Sequence, residues 1–537
     1  MTFLKEPFFT KHLKKIGVLL ASFALIISLL LPRYEPLHTT LTLSVDDAIS
    51  YASDVIEDLE QSHKKWSIAT RAHTIAPHHL QSHAYLWQTG GKHLYKELLG
   101  SYLQDTCWEV RYALFEGKPD DRVEEFRIFV GNNGEIVRIQ HLCSDNTPGE
   151  TISKPHARGI ALQTIQKLYG VTPYNLKEVS ALEIEKPARK DFIFTFCDTS
   201  VHLPQPTAQA RITIYITGDE ISDCLRSMYT PESWLKAHTT HVKNLNFLYL
   251  IALIIFGILT LTAYAMTMHP LVNSFSMREL IICCIPILAL ALIQFFSRLP
   301  VDTFLFSTEQ TYTKQFITLA TIGITLLFFL NIMICSFTSQ LGVTLPFTTE
   351  KNSYSTTITL GVLLGLVTSS LLLIVDFFSP RFTPLVGDLS ILSYHSEIAG
   401  KIVNSIFLML TPSALSLALG FYALQLKNKQ RYLFLVLSLL SGLIMLFINF
   451  SIESIPGILI GSVITTLIIT LIINLYSIKN ILVIIPALTI ITLVKIIRET
   501  LCNAYGAVQF HAILASIALI LFTLWWFSGL WSKKKIN

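Results

Sequence analysis

The stretch NFLYLIALIIFGILTLTAYAM, from Asn246 to Met266, divides the chain into a polar part and an apolar part. It contains no charged side chain, and it is long enough to cross a bilayer, which takes roughly 20 apolar residues in a helix. The residues that follow it are mostly apolar up to Trp531, whereas those from Arg33 to Lys243 are of mixed polarity. This stretch therefore predicts a bundle of membrane helices behind a separate polar domain.

The composition agrees with a membrane protein. Of the 537 residues, 51% are hydrophobic and 15% are charged, a composition that is too apolar for a water-soluble protein. The chain is also too long for a single domain. The net charge of +4 says little about partners, because in a membrane protein the positions of Lys and Arg matter more than their number. We therefore expect the lipid bilayer as a partner, and nothing in the sequence indicates nucleic acid.

Ten apolar segments predict an α-helical multi-pass bundle of about ten transmembrane helices. The first, residues 16–32, is predicted to be an anchor, because lysines precede it and no cleavage site of small residues follows. Helices 2–5 are predicted within residues 246–376 and helices 6–10 within 403–531, on either side of a loop at 377–402. The individual segments are 246–268, 280–297, 315–337, 355–376, 403–425, 432–450, 457–475, 480–497 and 509–531.

Basic residues predict the orientation of these helices. Lysines cluster before the first segment and after the last, and Lys and Arg are enriched on the cytoplasmic side of membrane proteins. With ten spans, both the N-terminus (1–15) and the tail (532–537) are cytoplasmic. Residues 33–245 and the loop at 377–402 are therefore predicted to lie outside the cytoplasm.

The polar domain contains a helix followed by antiparallel strands, and it contains this pattern twice. In the first unit, about residues 44–143, Ser44 is placed to cap a helix whose apolar residues recur at three and four positions. The later run EEFRIFVGNNGEIVRIQ predicts a hairpin that turns through Asn132, Asn133 and Gly134, since Asn and Gly tolerate a positive φ angle.

The second unit, about residues 151–235, repeats this order. Ser153 and Pro155 predict the start of a helix, Gly170 predicts its end, and the runs KDFIFTF and ARITIYI predict strands. The expected fold of the region is an inserted α+β domain of two helix-plus-antiparallel-sheet units.

The polar domain contains cysteines and histidines that invite further hypotheses. Four cysteines outside the cytoplasm permit one or two disulfides in three pairings, and buried reduced thiols are the alternative. The histidines, including His73, His78, His79 and His83, have no acidic or cysteine partner at ligand spacing, so a solvated polar face is expected and no metal site is predicted. The disulfide candidates are Cys107, Cys143, Cys197 and Cys224.

The run VSALEIEKPARKDFIFTF, from Val179 to Phe196, resembles a signature of large members of the CPBP family (CAAX protease and bacteriocin-processing, also called Abi). The helix-plus-strands unit is similar to PepSY modules, and the likeness covers about residues 44–240, with a weaker continuation to 378. It implies an intramembrane metalloprotease scaffold with a PepSY-like extracytoplasmic domain in the bacterial cytoplasmic (inner) membrane. The matching residues are Trp108, Val110, Arg111, Pro148, Gly149, Val179, Ser180, Pro187, Ala188, Arg189, Asp191, Phe194, Thr195, Phe196, Pro231, Glu232 and Trp234.

The protease motif that this resemblance implies is missing from the apolar half. Family members carry two adjacent glutamates, an arginine and two transmembrane histidines, usually with zinc, because a metal or base must activate the attacking water. The only adjacent glutamates of this chain, Glu124 and Glu125, lie in the polar domain. Residues 403–531 are therefore expected to form a degenerate CPBP-like region.

Three functions follow from these observations. The first is a pseudoprotease, a non-catalytic membrane protein without cofactor whose extracytoplasmic domain binds a peptide, an envelope component or a partner protein. The second is an active intramembrane metallopeptidase with zinc and a divergent site, for which Glu453, Glu499 and His511 are the candidate residues. The third is a transporter. We expect the first.

Two groups of residues are candidates for recognition. Arg189 and Asp191 in the polar domain form either a surface recognition pair or an internal salt bridge, and Trp108 and Arg111 are contact or core residues. Ionisable residues near the outer ends of the spans either bind a ligand or simply flank the span ends. The latter residues are Asp376, Glu453, Lys495, Arg498 and Glu499.

Overall fold

A computed structural model describes most of the chain. The described residues are 37–62, 64–75, 79–118, 121–203, 208–268, 277–325, 354–475, 480–503, 505 and 507–533, together with parts of 17–30. The predicted spans at 16–32 and 315–337 lie partly outside these residues, and His78 lies outside them entirely.

The polar region is an α+β domain, as predicted, but its eight strands form one antiparallel sheet instead of two. The strand order is β1-β2-β3-β4-β8-β7-β6-β5. The first half comprises helix α1 (Val45–Asp58), strand β1 (Ser67–His73), helix α2 (Leu80–Leu98), and strands β2 (Cys107–Ala113), β3 (Glu125–Gly131) and β4 (Ile136–Leu142). The second half comprises helix α3 (Lys154–Tyr169) and strands β5 (Leu176–Glu185), β6 (Lys190–Asp198), β7 (Ala210–Thr217) and β8 (Glu220–Met228).

This strand order relates the halves by an approximate two-fold axis. Each half is a helix followed by a four-stranded meander, except that α2 is inserted after β1, and the last strands of the two meanders, β4 and β8, meet in the middle. Their backbone pairing is a single pair, Gln140 with Asp223. The side chains reinforce it, because the Arg138 guanidinium donates to both Asp223 carboxylate oxygens at 2.7 and 2.5 Å.

Local signals in the sequence explain the confirmed elements. The Ser44 hydroxyl accepts from the Asp47 amide at the start of α1. Gly170 ends α3 in the left-handed conformation, and Gly134 adopts a φ of +79° in the β3–β4 turn. Helix α2 was not predicted, and Gly91 interrupts it with a φ of +70°.

The helices cover one face of the sheet in two separate cores. In the first half, Ala48, Ala52 and Ile56 of α1 pack with Val110 and Ile128 of the sheet. In the second half, α2 and α3 pack on β6, β7 and β8, where aromatic and aliphatic side chains alternate inwards. Because strand side chains alternate between faces, the residues between these core positions lie on the opposite face of the sheet, which has no helix of this domain.

The apolar half is a helical bundle, and the described residues contain eight helices that are long and apolar enough to cross a membrane. Each corresponds to a predicted span. Residues 312–325 are also helical. The eight helices are α4 (Glu232–Met268), α5 (Met277–Phe304), α6 (Tyr354–Phe378), α7 (Glu397–Gln425), α8 (Asn428–Asn449), α9 (Ile455–Leu475), α10 (Ile484–Cys502) and α11 (Val508–Lys533).

The first half of the sheet is docked on this bundle through its helix-free face. Arg111 of β2 donates from Nη1 to the carbonyl oxygens of Phe304 and Phe306, both at 2.7 Å, at the C-terminal end of α5. The same guanidinium donates from Nη2 to Glu125 at 2.6 Å. A cation at a helix C-terminus satisfies carbonyls that have no partner within the helix. Arg111 is therefore a docking residue between the sheet and the membrane helices.

The outer edge of β1 is also covered, by the loop that connects α6 to α7 in the bundle. The amide of Ala72 donates to the Ser393 hydroxyl at 3.0 Å, and the Thr74 hydroxyl donates to the Gly387 carbonyl oxygen at 2.7 Å. Leu389 and Leu392 from the same loop belong to the core of the first half. The sheet thus has one edge covered by the bundle and one, at β5, that pairs only with β6.

Candidate functional site

The ionisable residues predicted near the span ends are engaged with one another. Asp376 of α6 is buried and accepts from Arg381 at 2.8 and 2.6 Å and from Arg498 of α10 at 3.3 Å. Arg498 also donates to the Phe450 carbonyl oxygen at the end of α8. An acid held between two arginines ties three helix ends together, which is the usual condition for charges in a bundle.

Glu453 is occupied by backbone donors. Its carboxylate accepts from the amides of Phe382 at 2.6 Å and Thr383 at 2.9 Å, and from the Thr383 hydroxyl. Its own carbonyl oxygen lies 2.9 Å from the His241 ring of α4. Glu453 therefore holds the loop after α6 in place.

Glu499 and His511 belong to different clusters. Lys401 donates to Glu499 at 2.9 Å, whereas the His511 ring lies 3.7 Å from Glu397. Glu397 also accepts from the Tyr505 hydroxyl at 2.8 Å. The three candidate residues of a divergent peptidase thus have separate partners, and zinc would find at most the two donors His511 and Glu397 together.

The donor set accordingly does not fit the zinc that the family resemblance implies. Within the described part of the chain, no group of three or more His, Cys, Asp or Glu side chains is arranged to hold a metal ion. Three protein ligands are the usual minimum for a catalytic zinc site.

The recognition candidates of the polar domain lie inside the protein. Arg189 is 5% exposed, and it donates to Asp191 at 2.8 Å and to the carbonyl oxygens of Ser144 and Thr147 at 2.8 and 2.5 Å. Trp108 is buried, and its indole N–H donates to the Leu43 carbonyl oxygen at 2.9 Å. Together with the docking role of Arg111, these contacts favour structural roles for the residues.

The four disulfide candidates carry free thiols in the structure. Burial raises the pKa of the Cys107 thiol to about 12 and that of Cys224 to about 11, and it also raises the pKa values of Cys143 and Cys197. A thiol must ionise to act as a nucleophile, so these four groups are poor nucleophiles at neutral pH.

A cleft of about 330 Å³ opens in the sheet where β4 and β8 diverge beyond their one backbone pair. Val137 and Arg138 line one side of it, and Cys224, Leu225 and Arg226 line the other. The remaining walls come from the C-terminal end of α2, from residues 104–106 and from the β3–β4 turn. The cleft is lined by both polar and apolar groups, as ligand sites usually are.

Arg226 is the cation of this cleft that has no carboxylate partner among the described residues. Its guanidinium lies over the Tyr169 ring, 4.4 Å from the centroid, and 5.6 Å from that of Tyr102. Its hydrogen bond within the described structure runs to the Gly100 carbonyl oxygen at 3.5 Å. The other arginine of the cleft, Arg138, is neutralised by Asp223.

The wall behind the cleft is a connected polar network. Asp105, which lines the cleft, lies 2.9 Å from the His38 ring, whose other nitrogen lies 2.9 Å from the Tyr95 hydroxyl. The same hydroxyl lies 2.8 Å from the His83 ring. Burial and the nearby Arg138 lower the pKa of His79, at the start of α2, to about 4, so this cleft residue is neutral at physiological pH.

The sequence pattern did not reveal this cleft. Its walls come from six segments spread between Thr39 and Arg226, and their meeting depends on the long-range pairing of β4 with β8. The one local signal was the two-fold repeat of a helix with strands, which implies a seam between the units.

Comparison of the chain with protein families, with curated proteins and with solved structures found no match. The helices and the sheet together identify a multi-pass membrane protein with an α+β domain.

Proposed function

We propose that this protein is a non-catalytic membrane receptor whose extracytoplasmic sheet domain binds peptides in the cleft between β4 and β8. The observation that carries the proposal is the contrast between this cleft and the bundle. Among the described residues, the cleft offers a cation without a carboxylate partner beside two diverging strand edges, whereas the candidate catalytic groups of the bundle are each held by separate partners.

The choice of a peptide rests on the geometry of the cleft. Strand edges that separate inside a sheet present backbone donors and acceptors, which is how many domains bind extended chains. The resemblance of the polar domain to PepSY modules, which inhibit or regulate peptidases, supports the same class of ligand. The volume is at the small end of ligand pockets, so a short segment of chain fits and a folded partner does not.

The pseudoprotease assignment rests on the separation of Glu453, Glu499 and His511. Each has partners that a water-activating carboxylate or imidazole would have to release. The buried Asp376 of the bundle is bonded to two arginines, Arg381 and Arg498, and so joins α6 to α10.

The test uses the full chain purified in detergent and a pool of short fluorescent peptides. Anisotropy should report saturable binding, and mass spectrometry should find every peptide uncleaved, with or without added zinc. As matched variants, Glu499→Gln and His511→Ala should leave binding unchanged. Cleavage that disappears in either variant would establish the peptidase instead, and the absence of any peptide binding would remove the receptor function.

The orientation is tested separately. In sealed membrane vesicles of known sidedness, a protease added to the extracytoplasmic side should digest the sheet domain. Digestion of the domain only from the cytoplasmic side would reverse the proposed topology.

A further inference from the structure

We propose that Arg226 binds the free carboxylate at the C-terminus of a peptide that lies in the cleft between β4 and β8. This inference rests on the proposed peptide-binding function and assigns it a recognition residue and a required chemical group. It starts from the contrast between Arg226 and other arginines of the domain. Arg111, Arg127, Arg138, Arg158 and Arg189 each pair with a carboxylate at 2.5–2.8 Å.

The guanidinium of Arg226 is held in position by two tyrosine rings and, in the part of the chain that the structure describes, pairs with no carboxylate. The Tyr169 ring beneath it is fixed by its own hydroxyl, which donates to the Cys224 carbonyl oxygen at 3.2 Å. The second ring, Tyr102, is fixed by its hydrogen bond to Asp198. Two anchored rings restrict the side chain, so little conformational entropy is lost when a ligand binds. A planar guanidinium stacked on a ring keeps its N–H edge available for a planar acceptor.

The charges that line the cleft favour a single negative charge. Arg138 is neutralised by Asp223, which leaves Arg226 as the positive group without a carboxylate partner in this part of the structure. Asp105 and Glu135 also line the cleft and repel an anion in proportion to its charge, so they oppose a dianion such as phosphate about twice as strongly as a monoanionic carboxylate. A carboxylate carries one charge and matches the guanidinium fork in a bidentate pair.

The position of Arg226 suits a chain end. It lies three residues beyond Asp223, so it is roughly 10 Å along β8 from the point where the strands meet, at about 3.3 Å per residue. A chain terminus that reaches Arg226 leaves the last few residues of the peptide beside the diverging edges of β4 and β8. Since the cleft volume is about 330 Å³, those last residues are the part of the ligand that it encloses.

The experiment compares two peptides of identical sequence, one with a free C-terminal carboxylate and one with a C-terminal amide, taken from the pool members that bind. We expect the full chain in detergent to bind the acid at least about tenfold more tightly than the amide, since a hydrogen bond to a charged group contributes about 1.5–3 kcal/mol. Arg226→Gln should abolish the preference, and Arg226→Lys should retain part of it.

Arg211→Gln is the matched control. Arg211 lies on the neighbouring strand β7, stacks on the Tyr229 ring at 3.6 Å and bonds to Gln209, but it does not line the cleft. It should preserve the preference. Equal melting temperatures of the variants would show that folding is intact.

Four results would overturn the inference. Equal binding of acid and amide by the unaltered chain would do so while leaving the peptide-binding function standing. Loss of the preference in Arg211→Gln to the same degree as in Arg226→Gln would show a general charge effect. Displacement of the peptide by inorganic phosphate at lower concentration than by acetate would identify a phosphate site, as for a lipid headgroup or free phosphate. Absence of binding by either peptide would remove both proposals together.

Discussion

The two halves of the sheet share one plan, a helix and a four-stranded meander, and differ in what lies on the helix-free face. In the first half that face carries Glu109, Arg111 and Glu125, all buried because the membrane bundle covers them. In the second half it carries residues such as Leu182 and Tyr215, which are partly exposed. The comparison shows that buried ion pairs on the helix-free face of one unit can attach that unit to the membrane helices. In the second half the corresponding face stays partly exposed.

The largest expected effect concerns this anchor. Arg111→Leu removes one of the two guanidinium partners of the buried Glu125 and the donor to the carbonyl oxygens of Phe304 and Phe306, so we expect a loss of about 3 kcal/mol of stability. Arg211→Leu in the second half should cost under about 1 kcal/mol, since Arg211 is partly exposed and mainly stacks on a ring. Thermal unfolding in detergent measures both. Similar losses for the two variants would show that the halves do not differ in this way.

A second comparison tests whether the halves unfold separately. Ile128 and Ile214 are both fully buried, one in each core, and truncation to alanine should cost about 2–5 kcal/mol in either. Because the two cores are separate and the strands of the two halves are joined by one backbone pair and one ion pair, we expect Ile214→Ala to speed amide hydrogen exchange in α2, α3 and β5–β8 while β1–β4 stay protected. Equal acceleration in both halves would mean that the sheet is one cooperative unit.

The next effect depends on pH and lies at the seam between the halves. Burial lowers the pKa of His79 from 6.5 to about 4, so below pH 6.5 the unfolded chain gains a proton that the folded chain takes up only near pH 4. Stability should therefore fall by up to about 3 kcal/mol as the pH falls from 6.5 to 4.

His79→Gln should flatten this dependence. His93→Gln, at an exposed histidine of the same helix, should not alter it. Unfolding midpoints across this pH range measure the slope, and an unchanged slope in His79→Gln would assign it to other groups.

The smallest effect concerns the open face of the second half. The Thr195 and Thr213 hydroxyls lie 3.2 Å apart on neighbouring strands, and such cross-strand pairs contribute about 0.2–1 kcal/mol. Thr213→Val should therefore cost less than about 1 kcal/mol in thermal unfolding. A loss above about 2 kcal/mol would imply that this face packs against something more than water.

Elements with local signals were predictable from the sequence. The Ser44 cap, the Gly170 terminus and the turn at Gly134 each depend on a few adjacent residues, and the structure confirms the two helices and the hairpin that they mark. The membrane helices were predictable because apolar length is itself the signal. Helix α4 begins at Glu232, earlier than the predicted span at 246, because the helix continues through polar residues that hydropathy excludes.

The features that depend on distant residues were not predictable. Helix α2 contains two adjacent glycines, Gly90 and Gly91, so local preference argues against it. Nothing local relates Gln140 to Asp223, or Arg111 to the end of α5, yet these contacts unite the sheet and dock it. The cleft between β4 and β8 exists because of these long-range contacts, so its position could not be predicted from the sequence.

Only three residues separate the end of β8 at Met228 from the start of α4 at Glu232. Helix α4 has 37 residues and a length of about 55 Å, nearly twice the roughly 30 Å thickness of a hydrocarbon core. Arg226 lies two residues before the end of that strand, so the backbone that lines the cleft continues almost directly into a helix that enters the lipid. A force applied to a peptide bound in the cleft would be transmitted along the axis of α4 into the membrane interior, because only a short connection lies between the strand and the helix.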